Sequence, residues 1–336
     1  MVREAHRSRT AVAATVAALL VSVVVVTPAA AGGPGPSRAS AVAAATSTRK
    51  AVAGTTCTVF PDDNFWNTDI SKLPVHPSST RWRKAIGTRD LHPDFGPAGP
   101  GEKPYGIPIT VVPRSAKKSS VRFSYPDESD RVKYPLSSRT KIEGGGDRHA
   151  IIVDRSTCRL YELYDLSRSG TRWRAGSGAT WSLTSNRLRT NGWTSADAAG
   201  LPILPGLLRW NEVRAGKVEH AIRFTAPVTA NKHVWPARHH AGSRSVKTHP
   251  PMGARFRLAK SFSTKGFSKE AKVVIAAMKT YGIVLADNGS GWFFQGEAST
   301  KWPDRLIRDL KRIPSSAFRA VDTSRLEHTK NSARVQ

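Results

Sequence analysis

Cysteine is nearly absent: Cys57 and Cys158 are the only two in 336 residues. That excludes a scaffold held by many disulfides and a thiolate zinc cluster, which needs four ligands at short spacing. Acidic residues are scarce too, 25 against 52 lysines and arginines, for a net charge of +27. Long apolar runs number one, Ala11–Val26, and nothing after it reads as a membrane-spanning helix. Also missing are a Gly-x-Ser-x-Gly elbow, a His-Glu-x-x-His pair, a phosphate loop and a Gly-x-Gly-x-x-Gly turn after a strand. Their absence disfavours serine hydrolase, zincin, nucleoside-triphosphatase and dinucleotide chemistry.

The surroundings of the one apolar run explain it. Arg3, Arg7 and Arg9 form a basic stretch before it, and Ala29-Ala30-Ala31 supplies small residues after it. Residues 1–31 therefore read as a signal peptide cleaved near Ala31, making the protein secreted; an uncleaved N-terminal anchor is the alternative. The arginines are not adjacent, which fits general secretory export rather than the twin-arginine route. Cleavage removes three arginines and Glu4, so the net charge falls from +27 to +25. Such an excess suits polyanionic partners: phosphodiester or uronate wall polymers, anionic lipid headgroups or nucleic acid. A charge that serves only solubility is the alternative. In an exported chain an even pair of cysteines predicts one disulfide, Cys57 to Cys158, which leaves no thiol nucleophile.

Residues 32–54 are rich in Gly, Pro, Ala and Ser and read as a flexible linker. Residues 55–326 carry the folded domain, single because no linker divides it, and 327–336 read as a disordered tail. Strand signals outnumber helix signals. Ala150–Asp154, Arg159–Tyr164, Ala221–Thr225 and Arg255–Leu258 are short, β-branched or aromatic, and bounded by turn residues. The first two form an expected hairpin around Arg155-Ser156-Thr157. A second hairpin is expected around Asn288-Gly289. Two late helices are expected, Ser268–Tyr281 with Gly282 as its stop, and Asp304–Ile313 with Arg305, Arg308, Lys311 and Arg312 on a solvated face. The pattern predicts a β-rich α+β domain, sandwich or jelly-roll-like.

Candidate chemistry gathers in two places. Five histidines lie within 220–249, beside Trp193, Trp210 and Trp235. Tryptophan faces stack on sugars, while Asp197, His220, Arg238 and His239 can read hydroxyls and anions or move protons. His220 has the parity of Ile222 and Phe224, so a core position is its alternative. The second place is Glu143-Gly-Gly-Gly-Asp147-Arg148-His149, where Asp147 and His149 share strand parity and could form an acid/base pair or ligate a divalent metal. The string comes near an Asp-Arg-Gly-His nuclease motif but lacks its glycine. Glu143, Asp147, Asp154, Glu162, Asp197, Glu212 and Asp287 are the carboxylates available for glycosidic chemistry. Glu162 has inward parity and an expected raised pKa, whereas Asp287 is explained by its turn.

The series Phe60–Asn67, Gly146–His149, Cys158–Tyr164, Ser195–Gly206, His220–Thr225, Trp235–His239, Pro250–Gly253 and Ala286–Ser290 resembles a family of secreted bacterial proteins of undefined function. The resemblance covers Cys57–Val321. It implies export and, through neighbours that process polysaccharides, an association with glycans; it implies no catalytic residue. The expectation is a secreted carbohydrate-active protein on acidic cell-wall or matrix polysaccharide, a hydrolase or lyase. Its catalytic candidates are Asp147, His149, Asp197, His220 and His239, and its substrate-binding candidates Trp193, Trp235 and Arg238. A non-catalytic wall- or polyanion-binding module and a metal-dependent extracellular nuclease are the alternatives. If the fold serves a site, at least four of Asp147, His149, Asp197, His220, Arg238 and His239 should converge on one pocket.

Overall fold

The β-branched and aromatic runs become strands, and most of them are short. In the computed structural model, which describes residues 51–99 and 102–336, the order begins α1 (Ser79–Ile86), β1 (His92–Asp94), β2 (Ile109–Val112), β3 (Val121–Phe123), β4 (Ala150–Asp154) and β5 (Arg159–Tyr164). It continues with β6 (Ser167–Ser169), β7 (Arg172–Ala175), β8 (Ser177–Ser182), α2 (Trp210–Ala215), β9 (Ile222–Ala226) and β10 (Arg255–Leu258). It closes with α3 (Lys269–Thr280), β11 (Ile283–Asn288), β12 (Phe293–Gln295), α4 (Asp304–Leu310) and β13 (Phe318–Ala320). The described residues belong to one compact unit. The expected signal peptide and most of the expected linker lie outside them.

The fold is a β-rich α+β domain. Its strands fall into a six-stranded sheet ordered β1-β12-β9-β11-β10-β13, a four-stranded sheet β2-β4-β5-β8, and a three-stranded sheet β3-β7-β6. Four pairings are parallel (β1–β12, β11–β9, β2–β4 and β3–β7), which a purely antiparallel jelly roll lacks. Alternation along β5 divides the interior. Leu160 joins the main core with Ile151, Val153 and Ala179, while Tyr161 and Leu163 face a smaller core with Tyr134, Leu136 and Trp173. Glu162 has the parity of Leu160, so a carboxyl is carried into the main core.

The β4–β5 hairpin forms as expected, with Asp154 opposite Arg159 and Cys158 at φ +50° in the connection. Helix α3 also forms, capped by the Ser268 hydroxyl on the Ala271 N–H and burying Ala271, Val274, Ile275 and Met278. Gly282 follows at φ +72°, where a Cβ would sit 2.3 Å from the Phe256 carbonyl oxygen, so only glycine fits. The basic face of α4 and the residues after it is exposed as expected, and two of its arginines also pair with a buried carboxylate. Arg305 Nε and Arg312 Nη1 donate to Asp309, a buried carboxylate that also accepts the Ser268 N–H.

Three expectations are corrected. The chain turns after Asn288, but β11 and β12 do not pair; residues 289–292 carry the chain across β9, which lies between them. The 327–336 tail is packed rather than disordered. Ala333 is buried and exchanges backbone hydrogen bonds with Phe65 and Asn186, and Val335 N–H donates to Asp63. The folded part also starts before Gly54, because Val52 is buried and its N–H donates to the Cys57 carbonyl.

Cys57 and Cys158 are bridged with Cα atoms 5.4 Å apart across a sequence separation of 101 residues. The bridge pins the start of the domain to the β4–β5 turn. Closing a loop of that length restricts the unfolded chain, so reduction should lower stability by about 4–5 kcal/mol. Urea unfolding with and without reductant measures this, and coincident curves would contradict it.

Candidate active site

Strand register places a row of polar side chains on one face of the six-stranded sheet. Asp94 on β1 pairs with Gln295 on β12. Gln295 alternates with Phe294, which pairs with Phe224 on β9, so Gln295 shares its face with Arg223. Arg223 in turn pairs with Val284 on β11. A β-bulge between Leu285 and Asp287 then sets Asp287 opposite Thr225. In an unbroken register Ala286 would oppose Thr225 and Asp287 would oppose Ala226 on the other face; the bulge turns Asp287 onto the Arg223 side.

Arg223 is fully buried and held by Asp197, with Nε donating to Oδ2 at 3.0 Å and Nη2 donating to Oδ1. Asp197 lies in the 194–201 turn, where the Ser195 hydroxyl accepts the Asp197 N–H at 2.9 Å. Gly200 closes that turn at φ +66°, and a Cβ there would meet the Trp193 carbonyl at 2.4 Å. Asp287 Oδ2 is 3.7 Å from Arg223 Nη2, and 23% of its side chain is open to solvent. Burial, then the Asp197 charge, pushes the Asp287 carboxyl well above its ordinary value against the pull of Arg223, and the two carboxyls share a hydrogen bond. Asp287 therefore holds its proton to higher pH than an ordinary aspartate does.

The four-stranded sheet supplies the other groups. His149 Nδ1 meets Glu143 Oε2 at 2.6 Å, and its Nε2–H donates to the Ala196 carbonyl at 3.2 Å, one residue from Asp197. Both ring nitrogens face acceptors, which suits imidazolium. Burial opposes that charge, but the Glu143 hydrogen bond and charge outweigh it, so the pKa is raised. Glu162 accepts the N–H groups of Ile203 and Leu204, both at 2.8 Å. Burial still pushes its carboxyl up to about 8. Alongside, Tyr105 donates to Asp94 Oδ1 and Gln295 Nε2 donates to Asp94 Oδ2 at 3.1 Å, while Gln295 Oε1 is buried with no partner.

Of the six residues expected to converge, three border the 194–201 turn: His149, Asp197 itself, and His239, whose Nδ1–H donates to the Ala198 carbonyl at 2.8 Å. The other three are engaged elsewhere. Asp147 is exposed, and Arg148 at φ +48° breaks the strand parity expected of Asp147 and His149. His220 is buried with Glu212, 3.2 Å away, in a separate ion pair with Arg209. The Arg238 guanidinium holds the C-terminal segment through the Lys330 carbonyl at 2.7 Å and Asn331 at 3.1 Å. Trp235 does the same, donating to the Ser332 carbonyl at 2.9 Å, and Trp193 lies against Arg189. Arg223, Gln295 and Asp94 were not anticipated; the available signal was an arginine alternating with Ile222 and Phe224 inside a strand.

Among the described residues no group of three His, Cys, Asp or Glu side chains is arranged to hold a metal ion. No helix among them is long and apolar enough to cross a membrane. Comparison of the chain with family models, curated proteins and solved structures returns no match.

Glu162, Asp287 and His149 all bind a proton more tightly folded than unfolded. Each contributes full stability below its unfolded pKa and loses it as pH rises through the folded one. His76, His92 and His233, lowered chiefly by burial, act oppositely just below 6.5. Comparison with Glu162→Gln isolates one group. Wild-type stability relative to this variant should decline between pH 4.5 and about 8, by up to about 1.4 kcal/mol per unit. Urea unfolding of both proteins across that range checks the sign, and a difference independent of pH would refute it.

Proposed function

We propose that this protein is an exported hydrolase of glycosidic bonds in an acidic wall or matrix polysaccharide, with Asp287 as proton donor and Glu143 as the second carboxylate. One observation carries the proposal. A partly open carboxyl, Asp287, is paired with Asp197 over a buried arginine, and a second partly open carboxylate, Glu143, lies in the field of the same Arg223. Glycosidases work with two carboxyls in different protonation states.

The roles follow from the surroundings of each group. Asp287, protonated because burial and Asp197 disfavour its charge, gives its proton to the leaving glycosidic oxygen. Glu143 accepts from the His149 ring and the His149 backbone N–H at 3.2 Å, which fixes its carboxylate. It then takes the proton of an attacking water or attacks the anomeric carbon itself, according to its separation from Asp287 in the substrate complex. Elimination is less well served. Its base would be a histidine, yet both ring nitrogens of His149 are engaged, and its neutralising cation, Arg223, is already committed to Asp197. The strong positive charge favours an acidic polymer and equally suits the alternative of a non-catalytic wall-binding module.

Release of reducing ends from a panel of uronate and phosphodiester wall polymers tests this. Wild type should cleave at least one, unaffected by chelator, with activity falling as pH rises and Asp287 loses its proton. Asp287→Asn and Glu143→Gln should each lose about 10²–10⁴-fold. Retention of polymer by the protein with no cleavage would overturn the hydrolase in favour of the binding module. Cleavage that chelator abolishes would favour the nuclease-like alternative.

A further inference from the structure

A groove of about 780 Å³ opens along β8 and the 185–193 segment, within the size range of ligand sites. Its floor is Arg189, whose side chain is 3% exposed. The guanidinium lies 5.7 Å from the Trp181 ring and 5.6 Å from the Trp193 ring. Nη1 donates to Asp130 at 3.1 Å and Nη2 to the Glu128 carbonyl at 2.8 Å, while Nε is buried without a partner. The rim carries Arg131, Arg159 and Arg187. Arg131 pairs with Asp127 at 2.6 Å, and Arg159 donates to the Thr180 hydroxyl at 2.7 Å. The exposed Arg187 makes no side-chain hydrogen bond or ion pair among the described residues.

We infer that this groove is a binding subsite for an acidic oligosaccharide, with Arg187 pairing a sugar carboxylate and Trp193 stacking on a ring face. The lining chooses between anionic polymers. Four guanidinium groups stand beside two carboxylates, Asp127 and Asp130, and Asp127 is 91% exposed. A uronate sugar satisfies both signs, since its carboxylate accepts from arginine and its hydroxyls donate to aspartate. A DNA strand offers only acceptors along its backbone and would face the exposed Asp127 unfavourably. Half-buried Trp193 has one side on Arg189 and supplies an aromatic platform for the apolar face of a ring.

The groove lining is tied to the 194–201 turn that carries Asp197. Arg189 lies in the field of Glu162, and Thr194, next to Trp193, donates its N–H to Glu128 at 2.8 Å. Asp197 follows three residues later in the same turn. The naming of the groove as a substrate subsite rests on the proposed hydrolase, whereas its preference for an acidic glycan rests on the groove alone.

Titration of tryptophan fluorescence in the full-length protein with a galacturonate hexamer tests the inference. Its controls are the carboxyl-reduced neutral hexamer and a thymidylate hexamer. The acidic hexamer should bind, the neutral one at least about tenfold more weakly, and the thymidylate more weakly than the acidic glycan. Arg187→Glu, a change at an exposed position, should weaken the acidic hexamer at least about tenfold, and Trp193→Ala should act in the same direction. Equal binding by Arg187→Glu, or a preference for the neutral hexamer or the thymidylate, would overturn the subsite. Arg187-dependent binding without cleavage of any polymer would sink the hydrolase and keep the groove. Asp287-dependent cleavage without Arg187-dependent binding would do the reverse.

Discussion

Arg223 and Asp197 are both withdrawn from water, and each would cost several kcal/mol to bury alone. Their two hydrogen bonds offset that cost only while the 194–201 turn is held against β9. The pair thus ties a loop to a strand, and the neighbouring groups take their places from it. Ala196 presents its carbonyl to His149, and the Ile203 and Leu204 N–H groups reach Glu162. Asp197 also makes a second negative charge on Asp287 unfavourable, which adds to burial in raising the Asp287 pKa. A change to either partner would leave an uncompensated buried charge, a loss of about 3–5 kcal/mol.

The sheets contribute direction. Alternation along β9 sends Ile222 and Phe224 one way and Arg223 the other, and the bulge in β11 brings Asp287 to the same side. Glu162 reaches the centre from β5, in the other sheet. The buried polar centre is therefore assembled from two sheets that share one interior. The disulfide and the C-terminal segment hold the periphery, through Cys57 to Cys158 and through Trp235 and Arg238 to residues 330–332.

Local signals in the sequence sufficed where the structure is local. Alternation and β-branching marked β4 and β5, Ser268 and Gly282 bounded α3, and the inward parity of Glu162 was legible along with its raised pKa. Non-local pairing was not legible. Asn288-Gly289 looks like a hairpin turn, yet β9 takes the place between β11 and β12, because a parallel partner is invisible in a short window. Asp287 was explained by its turn for the same reason, since only the β9 register reveals the bulge that redirects it. His220, Trp235 and Arg238 drew attention by residue type and turned out to be held by Glu212 and by the C-terminal backbone. Arg223 carries the centre, but a single arginine in an apolar strand does not announce its partner 26 residues away.

The central claim is that burial beside Asp197 holds the Asp287 carboxyl well above the ordinary aspartate range despite the pull of Arg223. Carboxyl carbon shifts of the two residues, followed by NMR from pH 4 to pH 8 and assigned with Asp287→Asn, measure this directly. The account predicts an Asp287 that keeps its proton well above the ordinary aspartate range. An Asp287 that titrates near its ordinary value of 3.8, independent of Asp197, would contradict it.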